Sequence, residues 1–453
     1  MKKLFKLFLI VFAISVKSQI GVIDPSFNVG TGSDNYVYDI VLQSDQKIIA
    51  CGNFTTFNGI NRKYIVRLNS DGSVDSTFNP QITNNKSISK IVIQNDGKII
   101  AIGNNQDNSG YIVRLNNDGS LDNTFNVNIE FGGVNDVKTL PDNKILIAGI
   151  YSTTGIPTKN FWKLNTDGSL NTSFNISQTG PNNFVDTVFL LPSGKIIIAG
   201  GFTKYNNVDR NGIARINADG SLDETFNAGM GNNSTIFSMN QQIDGKLLIG
   251  GFFTSYNGIS RNFVARINEN GSLDDTFNPI SGSNDGVSHV KSQSSGKIIV
   301  TGAFTTFNDV TKKYVVLLNN DGSLVDNNTD ISFDNPVNLC LKQNDGKLVC
   351  GGYFSSFSGV SSKGVVRIIP NELLSNQENS KSEIQIIPNP ATDFIHIKTT
   401  KRDIEKVFVF DLAGKLIMTE YKKDINVSHL PPANHIISIK TSDGIQSFKF
   451  IKK

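Results

Sequence analysis

Short apolar runs alternate with polar turns along most of the chain, at a nearly constant interval. Runs such as Val37 to Leu42, Lys47 to Phe54 and Tyr64 to Asn69 span six to eight residues. They are rich in Ile, Val and Phe and predict β-strands. Two polar signatures recur between them. One is Asn69-Ser70-Asp71-Gly72-Ser73-Val74-Asp75-Ser76-Thr77-Phe78-Asn79, which returns from Asn116, Asn165, Asn217 and Asn268 and, decayed, from Asn319. The other is Asp96-Gly97-Lys98-Ile99-Ile100-Ala101. Its lysine recurs as Lys47, Lys98, Lys144, Lys195, Lys246, Lys297 and Lys347, 46 to 51 residues apart. A period of about 50 residues marks an array of supersecondary units that bury their cores against one another.

Each unit reads as four strands. In the first, these are Val37 to Leu42, Lys47 to Phe54, Tyr64 to Asn69 and Val74 to Asn79. Asn-x-Asp-Gly fits a three-residue hairpin loop with the glycine in the left-handed conformation. Gly or Asn precedes the repeat lysine in every unit except the first, where Gln46 is expected to be mildly strained. The hairpin loop sets a register in which Arg67 faces Asp75. Arg114/Asp122, Arg215/Asp223 and Arg266/Asp274 keep both charges. Where the basic residue becomes Lys163 the partner is Asn171, and where it becomes Leu317 the partner is Val325. Paired change of this kind marks cross-strand neighbours with a structural role.

The last unit lacks its outer strand: nothing like Asp-x-Thr-Phe follows Arg367. The missing piece, Asp24-Pro25-Ser26-Phe27-Asn28, stands at the opposite end of the array. Asp24 is therefore expected to face Arg367, closing a ring. The fold class is all-β: a seven-bladed β-propeller closed by an N-terminal strand, followed by a small β-sandwich. An open β-solenoid is the alternative and would not need the two fragments to complement each other. Phe27, Phe78, Phe125, Phe174, Phe226, Phe277 and Phe333 are assigned to contacts between blades.

Composition adds limits. Among 453 residues, hydrophobic types make up 38% and the net charge is +3. The chain can hold a real core, and nothing suggests nucleic-acid or membrane electrostatics. Lys2, Lys3 and Lys6 followed by the apolar stretch Leu7 to Val16 read as a secretory signal, with cleavage before Gln19. No other stretch is long enough to span a bilayer. The domains are then 1–18, signal peptide; 19–370, propeller; 371–382, polar linker; and 383–453, β-sandwich.

Two resemblances follow. Asp-Gly-Lys-Ile-Ile at 96–100 and Arg-Ile-Asn-Ala-Asp-Gly-Ser-Leu-Asp-Glu-Thr-Phe at 215–226 resemble the delta-60 repeats of secreted bacterial propellers. The tail is similar to the C-terminal sorting domain of type IX secretion. The matching residues are Pro388, Asn389 and Pro390; Asp411, Gly414 and Lys415; Leu430 within Val427-Ser428-His429-Leu430-Pro431; and the terminal Lys452 and Lys453. Ala433, Asn434 and His435 stand where that family has Gly-x-Tyr. The resemblance implies an exported or cell-surface cargo whose tail is read by the type IX translocon.

Chemistry is sparse. The repeats hold one histidine, His289, so neither a His-based metal cluster nor a Ser-His-Asp triad assembles readily. Its equivalents are Asp39, Lys90, Asp136, Thr187, Ser238 and Leu339. If the first strand is innermost, these line a central channel, as solvated wall or as a binding or catalytic ring. No cofactor is expected. Calcium at the Asn-x-Asp-Gly-x-x-Asp turns is the weaker reading, because Arg67 fills a would-be ligand position and no distal Glu follows. Cys340 and Cys350 flank the last hairpin and face each other, a pairing suited to a disulfide in an exported protein. Cys51 remains free and buried.

Both Asp-Gly turns fall on one face and are too tight to form a pocket. The other face carries longer connections, including Val29 to Asn35, Thr55 to Arg62, Ser177 to Asn183 and Ala228 to Ser234. In the second unit the connection shortens to Asn104 to Gly110 and should leave a notch. Loops on a rigid scaffold usually carry function. Tyr36, Phe57, Tyr205 and Tyr256 are candidate stacking surfaces there, for glycan or protein. The alternatives are a secreted hydrolase or lyase acting on an extracellular polymer, and a purely structural surface protein.

Overall fold

The computed structural model describes residues 21–453 apart from 83–84, 106, 108, 130, 151–159, 176–178, 230, 233, 294, 326–332, 371–383, 400–403, 411–415 and 442–443. The signal segment lies outside the described residues. The chain divides into two compact units, Met1–Asn371 and Glu372–Lys453.

The first unit holds seven tandem β-repeats. Each has three antiparallel strands, in the first repeat Val37–Leu42, Ile48–Gly52 and Ile65–Leu68. The central strand is buried on both faces, which explains its unbroken apolar run. Ile48 and Ala50 pack with Leu339, Val349 and Val365 of the seventh repeat, while Ile49 and Cys51 pack with Ile88, Ile91 and Ile99 of the second. Every sheet is therefore sandwiched between neighbours, and the first repeat shares a core with the last.

The seventh sheet gains a fourth strand, Gly21–Ile23, from the far end of the array, with Val22 opposite Ile369 and Ile23 opposite Ile368. In the other repeats the expected fourth strand is shorter than the sequence suggests. Val74 makes a single bridge to Leu68, and then the chain turns. The Thr77 amide and hydroxyl both donate to Asp75 Oδ1, at 2.9 and 2.7 Å, and the Phe78 amide donates to Asp75 O. The Asp-x-Thr side chains offer the backbone a local turn that competes with the ladder.

Five repeats insert a two-residue hairpin between the second and third strands, such as Thr56–Phe57 with Ile60–Asn61. Its turn residues Asn58 and Gly59 both have positive φ, 49° and 71°, as a type I′ turn needs. In the second repeat the two strands instead pair onward to Asn104 opposite Gly110. The residue before each repeat lysine is left-handed throughout, including Gln46 at φ 69°. Phe333 departs from its expected place. It bridges Phe357, as Ser33 bridges Phe57, and so belongs to the small hairpin.

The second unit is β-sandwich-like. A three-stranded sheet (Ile384–Ile387, Phe394–Thr399, Asp424–Asn426) and a four-stranded sheet (Ile404–Phe410, Leu416–Glu420, Asn434–Thr441, Gly444–Ile451) share one core. That core includes Ile395, Ile397, Val407, Val409, Ile437 and Phe450.

Candidate functional site

Two sets of polar side chains are built into the repeats, one at the rim and one at the centre. At the rim, Arg67 Nε donates to Asp75 Oδ2 at 2.7 Å, and Lys47 Nζ reaches the same oxygen at 2.8 Å. The same three-way clamp forms at Lys98/Arg114/Asp122, Lys195/Arg215/Asp223 and Lys246/Arg266/Asp274. In the seventh repeat it is made by Lys347 and Arg367 with Asp24, at 2.9 and 2.7 Å. The repeat lysine's part in the clamp was not visible in the sequence, where it served only to mark the phase.

Each clamp arginine also bonds to a turn carbonyl of the next repeat, for example Arg266 Nη1 to Asn320 O at 2.6 Å. Arg367 reaches Ser70 O at 2.6 Å, in the first repeat. Each guanidinium lies over its repeat's phenylalanine, as Arg67 does over Phe78 at 4.8 Å. Burial raises the Asp75 carboxyl pKa, but hydrogen bonds from Lys47, Thr77 and Arg67 outweigh it and hold the pKa far below the usual range. These carboxylates are therefore saturated. Asp71 Oδ1 accepts the amide and hydroxyl of Ser73. Among the described residues no group of three or more His, Cys, Asp or Glu side chains gathers as a metal site would.

At the centre, the first strands of all seven repeats line one cavity of about 710 Å³. Each first strand carries a β-bulge, between Val37 and Asp39 in the first repeat. Bulges often re-aim a side chain near a functional site. The wall has three tiers. Near the mouth on the loop side stand the bulge residues Tyr38, Ser89, Asn135, Asp186, Phe237, Ser288 and Asn338. His289 and five of its equivalents, Asp39, Lys90, Thr187, Ser238 and Leu339, form the middle tier, and the sixth, Asp136, is fully buried. The third tier includes Lys138, Phe189, Asn240 and Lys291.

The middle tier is partly structural. Asp39 Oδ2, Asp136 Oδ2 and Ser238 Oγ accept backbone amides of the next repeat's first strand, from Ile91, Val188 and Val290 at 3.1, 2.8 and 3.2 Å. Asp136 also takes Lys90 Nζ at 2.8 Å and Lys138 Nζ at 3.1 Å. Burial raises its pKa, but the two ammonium groups bring it down to about 2. Burial dominates at Asp39 and pushes its carboxyl up, against Lys90 and the Ile91 amide. Asp186 is pushed up to about 6 by burial, opposed only by a Thr235 hydroxyl. His289 is held down to about 3 by burial, with Lys291, Lys90 and Lys138 adding to the effect.

The four candidate stacking rings separate. Phe57, Tyr205 and Tyr256 are fully buried, a correction to their placement as ligand surfaces. They close the small hairpins over the core, and the Tyr205 and Tyr256 hydroxyls donate to Gly220 O and Gly271 O at 2.6 and 2.8 Å. Only Tyr36 is open, at 48% exposure, tilted against Tyr353 at 4.4 Å. The sequence did not single out Tyr353, Phe237 and Phe252, which are exposed at the same end of the sheets. The alternation of a strand could have revealed Lys138 and Lys291, two positions beyond Asp136 and His289. Cys340 and Cys350 are joined by a disulfide across the last first–second strand pair, and Cys51 is free and buried.

Seven segments, 43–78, 94–125, 140–174, 191–226, 242–277, 293–324 and 343–371, match the family described as a domain of unknown function (DUF5122) beta-propeller. The chain belongs to this family. Its DUF5122 repeats coincide with the seven sheets, and each matched segment covers a second and third strand. Residues 385–453 match the secretion system C-terminal sorting domain. The protein is an exported, cell-surface cargo of type IX secretion. In that tail, Asn389 Oδ1 accepts the Ile451 amide at 2.9 Å, Ala391 bridges Lys452, and Leu430 and Lys452 are buried. Pro388 and Pro390 follow cis peptide bonds, and Lys453 N donates to Ala391 O. Asp411, Gly414 and Lys415 lie outside the described residues. Among the described residues no helix is long and apolar enough to cross a membrane.

No curated protein matches the chain. Solved structures resemble it distantly. PorZ, a surface component of the type-IX secretion system of Porphyromonas gingivalis, is 12% identical with a TM-score of 0.44, over 93% of this chain and 60% of that one. The extracellular domain of a putative hybrid two-component system from B. thetaiotaomicron is 10% identical with a TM-score of 0.32, over 92% and 68%. A gluconolactonase from Xanthomonas campestris is 10% identical with a TM-score of 0.37, over 77% and 99%.

Proposed function

We propose that this cell-surface cargo is a binding module. Its seven repeats, of the delta-60 type, close into a propeller. Closure is supported by the pairing of Gly21–Ile23 with the seventh sheet and by the reach of Arg367 to Ser70. The ligand, a glycan or a protein segment, meets the face that carries the longer connections. One observation carries the reading: exposed rings pair at the loop-side ends of the sheets, Tyr36 with Tyr353 and Phe237 with Phe252, and one ring of each pair, Tyr353 and Phe237, lines the cavity. Aromatic faces beside amides and hydroxyls suit sugar rings and peptide side chains alike. The opposite face offers only tight turns. Glycan-array and pull-down screening of the secreted chain tests this. Loss of the captured ligand in Tyr36→Ala and Phe252→Ala is expected, and retention in both would refute the face assignment.

A second reading, a secreted hydrolase or lyase, draws on Asp186. A cavity carboxyl with a pKa of about 6 suits general acid–base work. Polymer hydrolysis that disappears in Asp186→Asn would favour it over simple binding.

A further inference from the structure

The cavity contains more basic groups than its own architecture uses. Lys90, Lys138, His289 and Lys291 come from the first strands of three repeats and line the same space. The two carboxylates beside the lysines, Asp136 and Asp39, are committed. Asp136 holds Lys90 and Lys138 and accepts backbone amides from Val137 and Val188. Asp39 accepts the amides of Ile40 and Ile91. Asp186 stands in the mouth tier, where its Oδ1 meets the Asn135 amide at 3.3 Å. Lys291, by contrast, makes no ion pair or hydrogen bond among the described residues, although three cationic side chains neighbour His289. The buried Nδ1 of His289 has no partner either.

An unbalanced basic tier next to an aromatic and amide tier is a composite site, and its Lys291 is exposed to an incoming ligand. An anion there would meet Lys291 and the imidazole, and would relieve the mutual repulsion of the lysines. The cavity volume, about 710 Å³, lies within the roughly 300–1,000 Å³ range of small-molecule sites.

We propose that this cavity binds an acidic monosaccharide unit, with its oxyanion, carboxylate or sulfate, on Lys291 and His289 and its ring toward Tyr38 and Phe237. This rests on the loop-face reading above and names the ligand class for it. Lys90 and Lys138 set the field but remain tied to Asp136. Lys291 is the side chain free to take a partner.

Titration calorimetry of the full chain with glucuronate, glucose 6-sulfate, glucose and inorganic sulfate tests the proposal. Both sugar acids are expected to bind, with glucose about tenfold weaker or worse, as the loss of a charge-assisted hydrogen bond implies. Lys291→Met should weaken both acids about tenfold and leave thermal unfolding unchanged, because that side chain supports nothing in the fold. His289→Gln gives a second check. The two acids against each other separate carboxylate from sulfate. Glucose binding as tightly as the acids, inorganic sulfate binding as tightly as either, or an unaltered affinity in Lys291→Met would each overturn the site. If the acids bind and need Lys291 while no polymer is captured, the site stands and the loop-face reading falls. If polymers are captured equally by Lys291→Met, the site falls and the loop face stands.

Discussion

The rim clamps and the central cavity use the same residue types, Asp with basic partners, yet their carboxyl groups shift in different directions. At the rim, Asp75 and its equivalents are buried but receive two cations and a threonine, and their pKa values are driven down. In the cavity, Asp39 and Asp186 are buried with less compensation and are driven up, while His289 is driven down. The rim charges are spent on holding one repeat to the next. The cavity charges are left partly unsatisfied, and groups perturbed in this way tend to mark places where something else binds or reacts. The contrast holds between neighbouring first strands: Asp136 is saturated, while Asp186, a bulge residue of the next repeat, is not.

The largest effects should come from breaking a clamp on one side only. Asp75→Ala leaves Arg67 buried beside Lys47 without an anion, which costs about 3–5 kcal/mol. Urea unfolding followed through Trp162, the chain's one tryptophan, measures it. Asp24→Ala should cost the same, although Asp24 lies 343 residues from Arg367. A negligible loss at Asp24 with a full loss at Asp75 would mean the ring is not shut there. The sixth repeat shows an apolar solution, with Leu317 and Val325 in place of the pair. Arg67→Leu together with Asp75→Val should therefore cost much less than Asp75→Ala alone, since removing both charges avoids stranding either.

Next in size is Asp186. Its folded pKa of about 6 lies above the unfolded value, so the folded state binds the extra proton between about pH 4 and pH 6. Stability from this group is complete at the acid end and is lost as pH rises through 6. Asp186→Asn should stabilise the protein at pH 7 by about 2 kcal/mol and remove that slope. His289 acts in the opposite sense. Its folded pKa of about 3 lies below the unfolded value, so its contribution is lost as pH falls below about 6.5. The two slopes partly cancel in the native chain and should separate only in Asp186→Asn and His289→Gln, each unfolded across pH 4 to 8.

The repeat, its register and the complementary fragments were legible because they depend on local chemistry. Asp-Gly turns fix the hairpins, and a charge that changes together with its partner marks the cross-strand pair. The small hairpin was also legible, since Phe57-Asn58-Gly59-Ile60 is a type I′ signal between apolar residues, but it was read as loop. That misreading placed Phe57, Tyr205 and Tyr256 on the surface. Whether an aromatic ring covers a loop or lies beneath it depends on which neighbour it meets, and one strand's pattern does not contain that. The lysines had the same difficulty. Lys47 meets Asp75 only across a sheet, and Lys90 meets Asp136 only across two repeats.

A smaller effect sharpens the comparison on the loop face. Ile280 has φ 53° and is 79% exposed, at a position where the first and fifth repeats carry Gly30 and Gly229 with φ 63° and 61°. A β-branched residue in the left-handed region costs about 1–2 kcal/mol relative to glycine. Ile280→Gly should recover about 1 kcal/mol in urea unfolding, with part of the gain offset by the freer unfolded chain. No stabilisation would show that the turn is unstrained.

The smallest effect concerns the third repeat, where the clamp is incomplete. Lys163 stands in the arginine's place, above Phe174 at 5.4 Å, and reaches Ala218 O in the next repeat at 3.3 Å. Lys144 turns aside to Asp142 at 2.7 Å, and Asn171 Nδ2 donates to Asn165. This repeat keeps the bond to its neighbour and lacks the carboxylate that would gather both cations. Lys163→Arg alone supplies a guanidinium without its anion. Asn171→Asp alone offers an anion to two lysines that already have partners. Only the double variant rebuilds the arrangement seen in five other repeats, so the two changes should be non-additive, with a favourable coupling of about 1 kcal/mol in a double-mutant cycle. Additive energies would mean that the clamp is a set of separate contacts and that its recurrence reflects the turn rather than the charges.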